Sequence, residues 1–160
     1  MIKANNKKLN ADPLYYFAYG SNLDQAQMKS RCPGSSILNR AYLPHYVLSF
    51  KSNGRSGVAT IVPSQGEFVE GAIYRITPHD LAQLDRYEGH PFIYKRHEIK
   101  VFTYDHEQIK ALTYILKPSF PPELPAEHYL AKIQKGYAEL NIPTYKLIQA
   151  YESISEEDFW

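Results

Sequence analysis

The alternation of hydrophobic and polar residues predicts a chain dominated by short strands. Apolar, β-branched and aromatic runs are bounded by Gly, Pro, Ser, Asn or Asp, which is typical of strands separated by turns. The predicted strands are Leu14–Ala18, Tyr46–Phe50, Gly57–Val62, Phe68–Ile76, Ile93–Thr103 and Ile109–Leu116. Six strands at this short spacing favour a curled sheet or a barrel.

One helix is predicted between the fourth and fifth of these strands, over Pro78–Glu88. Thr77 can cap its first turn through its hydroxyl, Pro78 occupies the first helical position, and Asp80 places an acid near the positive end of the helix. Gly89 supplies the stop signal at the other end. These signals predict a helix of about three turns.

Further helical signals lie on either side of the strands. A helix-like stretch begins near Asp24, and apolar residues recur at helical spacing from Tyr129 to Leu140. Pro143 restarts a shorter helix that ends near Tyr151. The proline-rich segment Lys117–Pro125 cannot be helical over most of its length and is predicted to be an extended connector or rim.

These elements predict one domain. Residues 1–13 form a polar lead-in, residues 14–151 form the domain, and residues 152–160 form an acidic tail. The fold class is α+β, with a small β-barrel-like sheet of mixed strand direction and flanking helices.

Composition narrows the class of partner. The 18 Lys and Arg residues nearly balance the 17 Asp and Glu residues, so the net charge of +1 gives no field that would attract nucleic acid or a membrane surface. The single cysteine, Cys32, cannot form an internal disulfide, and the polar first residues lack a secretory signal. A cytoplasmic location is therefore expected. The six histidines show no metal-ligand spacing.

The candidate active site begins with the turn that follows the first strand. In Tyr19–Leu23, Gly20 permits a close approach to the backbone, and Ser21 and Asn22 carry short polar side chains. Ser21 lacks the flanking pattern of a nucleophile elbow, which disfavours a serine hydrolase. The turn is suited to holding a polar ligand.

A carboxylate on the buried side of a helix is the second candidate. Glu88 follows Leu84 by four residues and Leu81 by seven, so it shares their face. Burial and the negative end of the helix both raise the pKa of such a carboxyl, as general acid–base catalysis near neutral pH requires. The alternative is a boundary glutamate bonded to an arginine or a backbone amide, for which Arg86 and Arg96 are candidates. Asp85 and Arg86, on the opposite face, are expected to be solvated.

Four motifs in order carry a family resemblance. They are Tyr16–Leu23, Gly57–Pro63, Val69–Tyr74 and Leu84–Gly89. Together they resemble the γ-glutamylcyclotransferase family, including its AIG2-like relatives. The similarity extends to Ala111–Tyr114 and to the pattern between Tyr129 and Pro143, and so covers roughly residues 14–151.

The resemblance implies a small barrel-like fold and a reaction without metal or cofactor. In that reaction the α-amine of a γ-glutamyl group attacks its own γ-amide carbonyl, which forms 5-oxoproline and releases an amine or amino acid. Glu88 matches the family's acid–base glutamate. The turn from Tyr19 to Leu23 matches its substrate loop, and Tyr94 and Tyr114 resemble pocket tyrosines, although either can instead be a core aromatic.

The same resemblance implies a small-molecule γ-glutamyl substrate and a monomer or homodimer. The leaving amine stays open, because family members differ in it. The segment 52–56 is predicted to border that half of the substrate. The contrasting hypothesis is a non-catalytic module that uses the same pocket to bind a carboxylate-bearing ligand.

Overall fold

The computed structural model describes residues 12–157, and the side chains of residues 12–154. The predicted lead-in therefore lies almost wholly outside the described residues. The strands are β1 (Leu14–Ala18), β2 (Ser36–Ser52), β3 (Gly57–Ile76), β4 (Tyr94–Thr103) and β5 (Gln108–Leu116). The helices are α1 (Gln25–Arg31), α2 (Pro78–Glu88), α3 (Glu127–Glu139) and α4 (Tyr145–Glu157), and a single 3₁₀ turn spans Ser21–Leu23.

The strands close into a barrel in the order β1-β3-β2-β4-β5. The four neighbouring pairs in this order are antiparallel. Strand β1 closes the ring by pairing with β5 in parallel, with Tyr16 opposite Leu112. Closure removes the exposed edges that an open sheet of this size would present. The predicted α+β class, with a small barrel of mixed strand direction and flanking helices, is confirmed.

The prediction of six short strands is wrong in the middle of the chain. Tyr46–Phe50 is part of the longer strand β2, and the runs 57–62 and 68–76 are one strand, β3, which pairs with β2 from Ser36 to Ser52. The turn-like residues between the two runs form an irregularity within this ladder. There His45 has a φ of +65° and Gly66 a φ of +85°, and the Gly66 N–H donates to His45 Nδ1. The residues around Gly66 have the composition of a turn and predicted an end to the strand, but pairing with β2 keeps this part of β3 extended.

Helix α2 has the predicted bounds, Pro78–Glu88. The Thr77 hydroxyl accepts from the Asp80 N–H at 3.0 Å, and the Asp80 carboxylate accepts from the Thr77 N–H at 3.0 Å, which completes a capping box. Gly89 ends the helix in the left-handed conformation, with a φ of +66°. These local signals place Glu88 at the last helical position.

The 3₁₀ turn is held from two sides. Asp24 caps α1 by accepting from the Ala26 N–H at 3.1 Å. On the other side, helix α3 crosses so closely that a Cβ at Gly136 would lie 2.4 Å from the Cβ of Leu23. Only a glycine permits this contact between a helix backbone and the turn.

The C-terminal part has the predicted elements with one difference in length. The proline-rich segment begins with a turn, in which the Phe120 N–H donates to the Lys117 carbonyl at 3.2 Å, and then forms isolated bridges, Lys51 with Pro122 and Gly57 with Pro125. Helix α4 has 13 residues, as many as α3, and continues to Glu157. Ile154 is buried in this helix, so the segment predicted as an acidic tail begins inside it. The helices in the described part are too short and too polar to span a bilayer.

Candidate active site

A pocket with a volume of about 170 Å³ opens between the 3₁₀ turn and the end of α2. Strands β1, β3, β4 and β5 contribute to its walls, and α3 closes one side. It is lined by Tyr16, Tyr19, Gly20, Ser21, Asn22, Arg31, Asn53, Val58, Ala59, Tyr87, Glu88, Tyr94, Tyr114 and Tyr129.

The pocket contains all but one of the residues predicted for the site. Tyr19, Gly20, Ser21, Asn22, Glu88, Tyr94 and Tyr114 all line it. The exception is Leu23, whose side chain is fully buried in the core against Gly136. Its N–H donates to the Gly20 carbonyl at 3.0 Å. Leu23 therefore supports the turn from below and offers the pocket neither its side chain nor its amide.

Glu88 enters the pocket from the last turn of α2. Leu84, four residues earlier on the same face, is fully buried. Within residues 12–157 the Glu88 carboxyl makes no hydrogen bond or ion pair, so the alternative of a glutamate bonded to Arg86 or Arg96 is not observed. Burial raises the pKa of Glu88 to about 7, and the charge of Arg31 opposes that rise. A carboxyl with this pKa can both accept and return a proton near neutral pH.

The expectation that Asp85 is solvated is wrong. Its carboxylate forms an ion pair with Arg96 and accepts the hydroxyl proton of Tyr114 at 2.6 Å. The end of α2 lies over the barrel mouth, which brings this second face of the helix against β4 and β5. Arg86 is exposed, as predicted.

Three pocket tyrosines have hydroxyl protons that are committed to protein acceptors. Tyr19 donates to the carbonyl oxygen of Tyr114, Tyr94 donates to the carbonyl oxygen of Ala59 at 2.6 Å, and Tyr114 donates to Asp85. Burial raises the pKa of all three phenols, so they remain protonated. What each phenol oxygen can still offer a ligand is a lone pair. This wall of the pocket therefore accepts hydrogen bonds.

Two further tyrosines have the opposite polarity. Tyr16 accepts from Asn22 Nδ2 at 3.1 Å, and Tyr129 accepts from the Ala59 N–H at 2.9 Å. Burial raises the pKa of Tyr129 to about 12. Because these oxygens already accept, their own protons remain to be donated. The pocket therefore offers a ligand both hydrogen-bond donors and hydrogen-bond acceptors.

The side chain of Asn22 is occupied within the protein. Its Oδ1 accepts from Gln27 Nε2 at 3.2 Å and from Arg31 Nη1 at 3.0 Å, while its Nδ2 donates to Tyr16. Its backbone N–H and that of Ser21 lie at the start of the 3₁₀ turn. No carbonyl of the turn itself is placed to accept from them. The turn therefore presents amides and the Ser21 hydroxyl to the pocket, with the Asn22 side chain acting as a brace.

Sequence reasoning missed Arg31 and Tyr129 as pocket residues. Tyr129 recurs at helical spacing with Ile133, and this spacing indicates only that it faces the barrel. Arg31 sits at the end of α1, where a basic residue is a common helix-terminal feature. The predicted border segment is represented by Asn53, which lines the pocket. In the described part of the chain, no cluster of three or more His, Cys, Asp or Glu side chains is arranged to hold a metal ion.

Comparison with known proteins gives this pocket a family. The sequence matches the family described as gamma-glutamyl cyclotransferase, AIG2-like, over residues 16–136. The chain belongs to this family. The match begins at Tyr16 within β1 and includes the turn Ser21–Leu23, α2 and the part of α3 that reaches Gly136.

Individual relatives agree with the assignment. The human gamma-glutamylcyclotransferase is 31% identical over 136 residues, which cover 80% of this chain and 72% of the relative. A solved gamma-glutamyl cyclotransferase structure has a TM-score of 0.77 and 26% identity, covering 90% of this chain and 87% of its own. An uncharacterised human protein of known crystal structure has a TM-score of 0.77 and 28% identity, covering 91% and 88%. This family member is an enzyme of the gamma-glutamylcyclotransferase type, and the non-catalytic alternative is not favoured.

Proposed function

We propose that this cyclotransferase acts on a γ-glutamyl amino acid or γ-glutamyl amine. The α-amine attacks the γ-amide carbonyl, a new C–N bond closes the five-membered ring, and the original amide C–N bond breaks. The products are 5-oxoproline and the free amine or amino acid. The observation that carries the proposal is Glu88, a carboxyl with a pKa of about 7 and no hydrogen-bond partner in the described chain, placed inside the pocket.

The amine half of the substrate fits the three tyrosines whose oxygens can accept. An α-ammonium group has three N–H donors and no acceptor, and the oxygens of Tyr19, Tyr94 and Tyr114 are left with lone pairs. The ammonium is not nucleophilic until it loses a proton, and ionised Glu88 accepts that proton in our proposal. A group that titrates near pH 7 is ionised in a large fraction of molecules under neutral conditions.

The carbonyl half fits the groups of the pocket that can donate. The backbone N–H groups of Ser21 and Asn22, together with the hydroxyls of Ser21, Tyr16 and Tyr129, can bind the α-carboxylate and the oxyanion that develops on the γ-carbonyl. Fixed donors of this kind favour the transition state, because they need no rearrangement as charge develops. The turn Tyr19–Leu23 is thus proposed as the substrate loop, with Leu23 in a supporting role.

Glu88 would complete the reaction by returning its proton to the leaving nitrogen. Ring closure is intramolecular, so the enzyme needs to fold the chain into a near-attack conformation and move protons. No electrons are transferred, and the proposal therefore includes no cofactor. We propose a small-molecule γ-glutamyl partner, no nucleic-acid or membrane partner, a monomer or homodimer, and a cytoplasmic site of action. The leaving group would meet Asn53 and the rest of segment 52–56.

The test is incubation with a panel of γ-glutamyl dipeptides and γ-glutamyl-ε-lysine, with 5-oxoproline measured by mass spectrometry. Wild-type protein should form 5-oxoproline and the released amine in equal amounts from at least one compound, and Glu88→Gln should not. If no compound yields product while several bind with similar affinity to both proteins, the proposed reaction is wrong.

A further inference from the structure

Arg31 connects the substrate turn to the end of α2. It is the last residue of α1, and its guanidinium lies 4.8 Å from the centre of the Tyr87 ring, the residue before Glu88. Its Nη1 donates to Asn22 Oδ1 at 3.0 Å. One side chain therefore contacts both the turn that would hold the substrate and the helix turn that carries the carboxyl.

Arg31 is also the source of positive charge within the pocket. Among the lining side chains that the structure describes, it is the one cation and Glu88 the one acid. An arginine stacked on an aromatic ring and bonded to an amide oxygen holds its charge in a fixed place, unlike a flexible surface lysine.

We propose that Arg31 is a positioning residue, which braces the substrate turn through Asn22 and supplies the charge that favours the ionised form of Glu88. The proposal rests on the role of Glu88 as the acid–base group. It assigns to Arg31 no contact with the reacting atoms.

The groups that face Glu88 show why this one charge matters. From the elements packed around it come the phenols Tyr16, Tyr19, Tyr94, Tyr114 and Tyr129. Burial raises the pKa of each of these phenols, so all of them are neutral below about pH 9. On its own helix, Asp85 is paired with Arg96, and Tyr87 lies under Arg31. Arg31 is thus the cation left to oppose the burial of Glu88, and it lowers the pKa of that carboxyl.

The test is the pH dependence of kcat/KM, which reports the titration of groups in the free enzyme. Arg31→Met keeps an unbranched side chain but removes the guanidinium, and with it the charge, the contact with the Tyr87 ring and the hydrogen bond to Asn22. In this variant the acidic limb of the pH profile of kcat/KM should move to higher pH by roughly one unit. This shift lowers kcat/KM about tenfold on the acidic side and much less at about pH 9. Arg31→Lys should restore most of the limb. Arg86→Met, which removes an exposed charge from α2, is the matched control and should leave the limb in place.

A direct measurement removes the dependence on activity. Titration of the Glu88 carboxyl by carbon NMR should show its pKa higher in Arg31→Met than in wild-type protein and in Arg31→Lys. If the Glu88 titration is unmoved, and the variant loses kcat/KM equally at all pH values or through KM alone, the charge of Arg31 does not act on Glu88 and our inference is wrong. A wild-type rate in Glu88→Gln would instead overturn the proposed base, which separates the two failures.

Discussion

Helix α2 carries an acid near each end, and the two acids differ in their hydrogen bonds. At the first turn, the Asp80 carboxylate accepts from the N–H of Thr77 at 3.0 Å and of Gly34 at 3.2 Å. It also faces the positive end of the helix. At the last turn, Glu88 faces the negative end, and no donor in the described chain bonds to it.

This contrast separates a structural acid from the proposed acid–base group within one helix of eleven residues. Asp80 is 1% exposed, and its oxygens are bonded to backbone amides, so its role is to fix the helix start against the segment after α1. Glu88 is half-buried at the pocket without such partners, and a native protein retains so costly an arrangement where function requires it. The two ends of α2 therefore differ in both exposure and hydrogen bonding.

Removing the proton-accepting group of Glu88 should have the largest effect on catalysis. Glu88→Gln keeps the shape of the side chain and should lower kcat by roughly 10²- to 10⁴-fold, the usual effect of a positioned general base. Steady-state 5-oxoproline formation measures it. Glu70→Gln is the matched control, since Glu70 is buried, pairs with Arg40 at 3.3 Å and does not line the pocket. Equal losses in both variants would refute the contrast.

The same substitution should change stability in a pH-dependent way. Below about pH 4.5, the ordinary pKa, Glu88 is protonated in both folded and unfolded protein and contributes nothing. As the pH rises towards the folded pKa of about 7, the unfolded state ionises first, so the native state loses stability. The free energy of unfolding of Glu88→Gln, relative to that of wild type, should therefore increase by up to roughly 3 kcal/mol between pH 4 and pH 8. Urea titrations at both pH values measure this, and a constant difference would contradict it.

At the other end of the helix, Asp80→Ala should affect stability and spare catalysis. The change leaves two backbone N–H groups without their acceptor and should lower the free energy of unfolding by about 2 kcal/mol. Turnover per folded molecule should stay within about twofold of wild type. Asp105→Ala, at an exposed acid in the β4–β5 turn, serves as the control and should change neither quantity. Loss of turnover without loss of stability in Asp80→Ala would show that both ends of α2 serve the reaction.

Asp85 is an intermediate case with a smaller expected effect. Asp85→Asn weakens the acceptor for the Tyr114 hydroxyl and frees its proton, so one lone pair is no longer held towards the ammonium. We expect kcat/KM to fall by roughly three- to tenfold. In a double-mutant cycle with Tyr114→Phe, the second substitution should add little to the first. Fully additive losses would mean that Asp85 acts independently of Tyr114.

Sequence reasoning succeeded where the signals are local. The bounds of α2 follow from Thr77, Pro78 and Gly89, and the polar turn after β1 lies where the pattern of the first strand places it. The shared face of Leu84 and Glu88 follows from helical spacing alone. Each of these depends on residues within a few positions of one another.

The failures involve partners that are distant in the chain. The stretch around Gly66 has the composition of a turn, yet β2 pairs along both sides of it and keeps the strand continuous. Asp85 was expected to face water because the helix was considered without β4 and β5 beneath it. Arg31 and Tyr129 come to the pocket from α1 and α3, and their positions depend on how those helices cross the barrel end, which no local pattern specifies.

The close contact of Leu23 with Gly136 has a dynamic consequence. Because the turn is wedged against the backbone of α3, its conformation is set when the protein folds and does not have to be acquired when a ligand arrives. In the proposed reaction, ordering entropy would then not be lost when the substrate binds, and the donors of Ser21 and Asn22 would form a rigid template for it. A larger residue at position 136 would displace the turn as one body, so this glycine controls the shape of a pocket that it does not line.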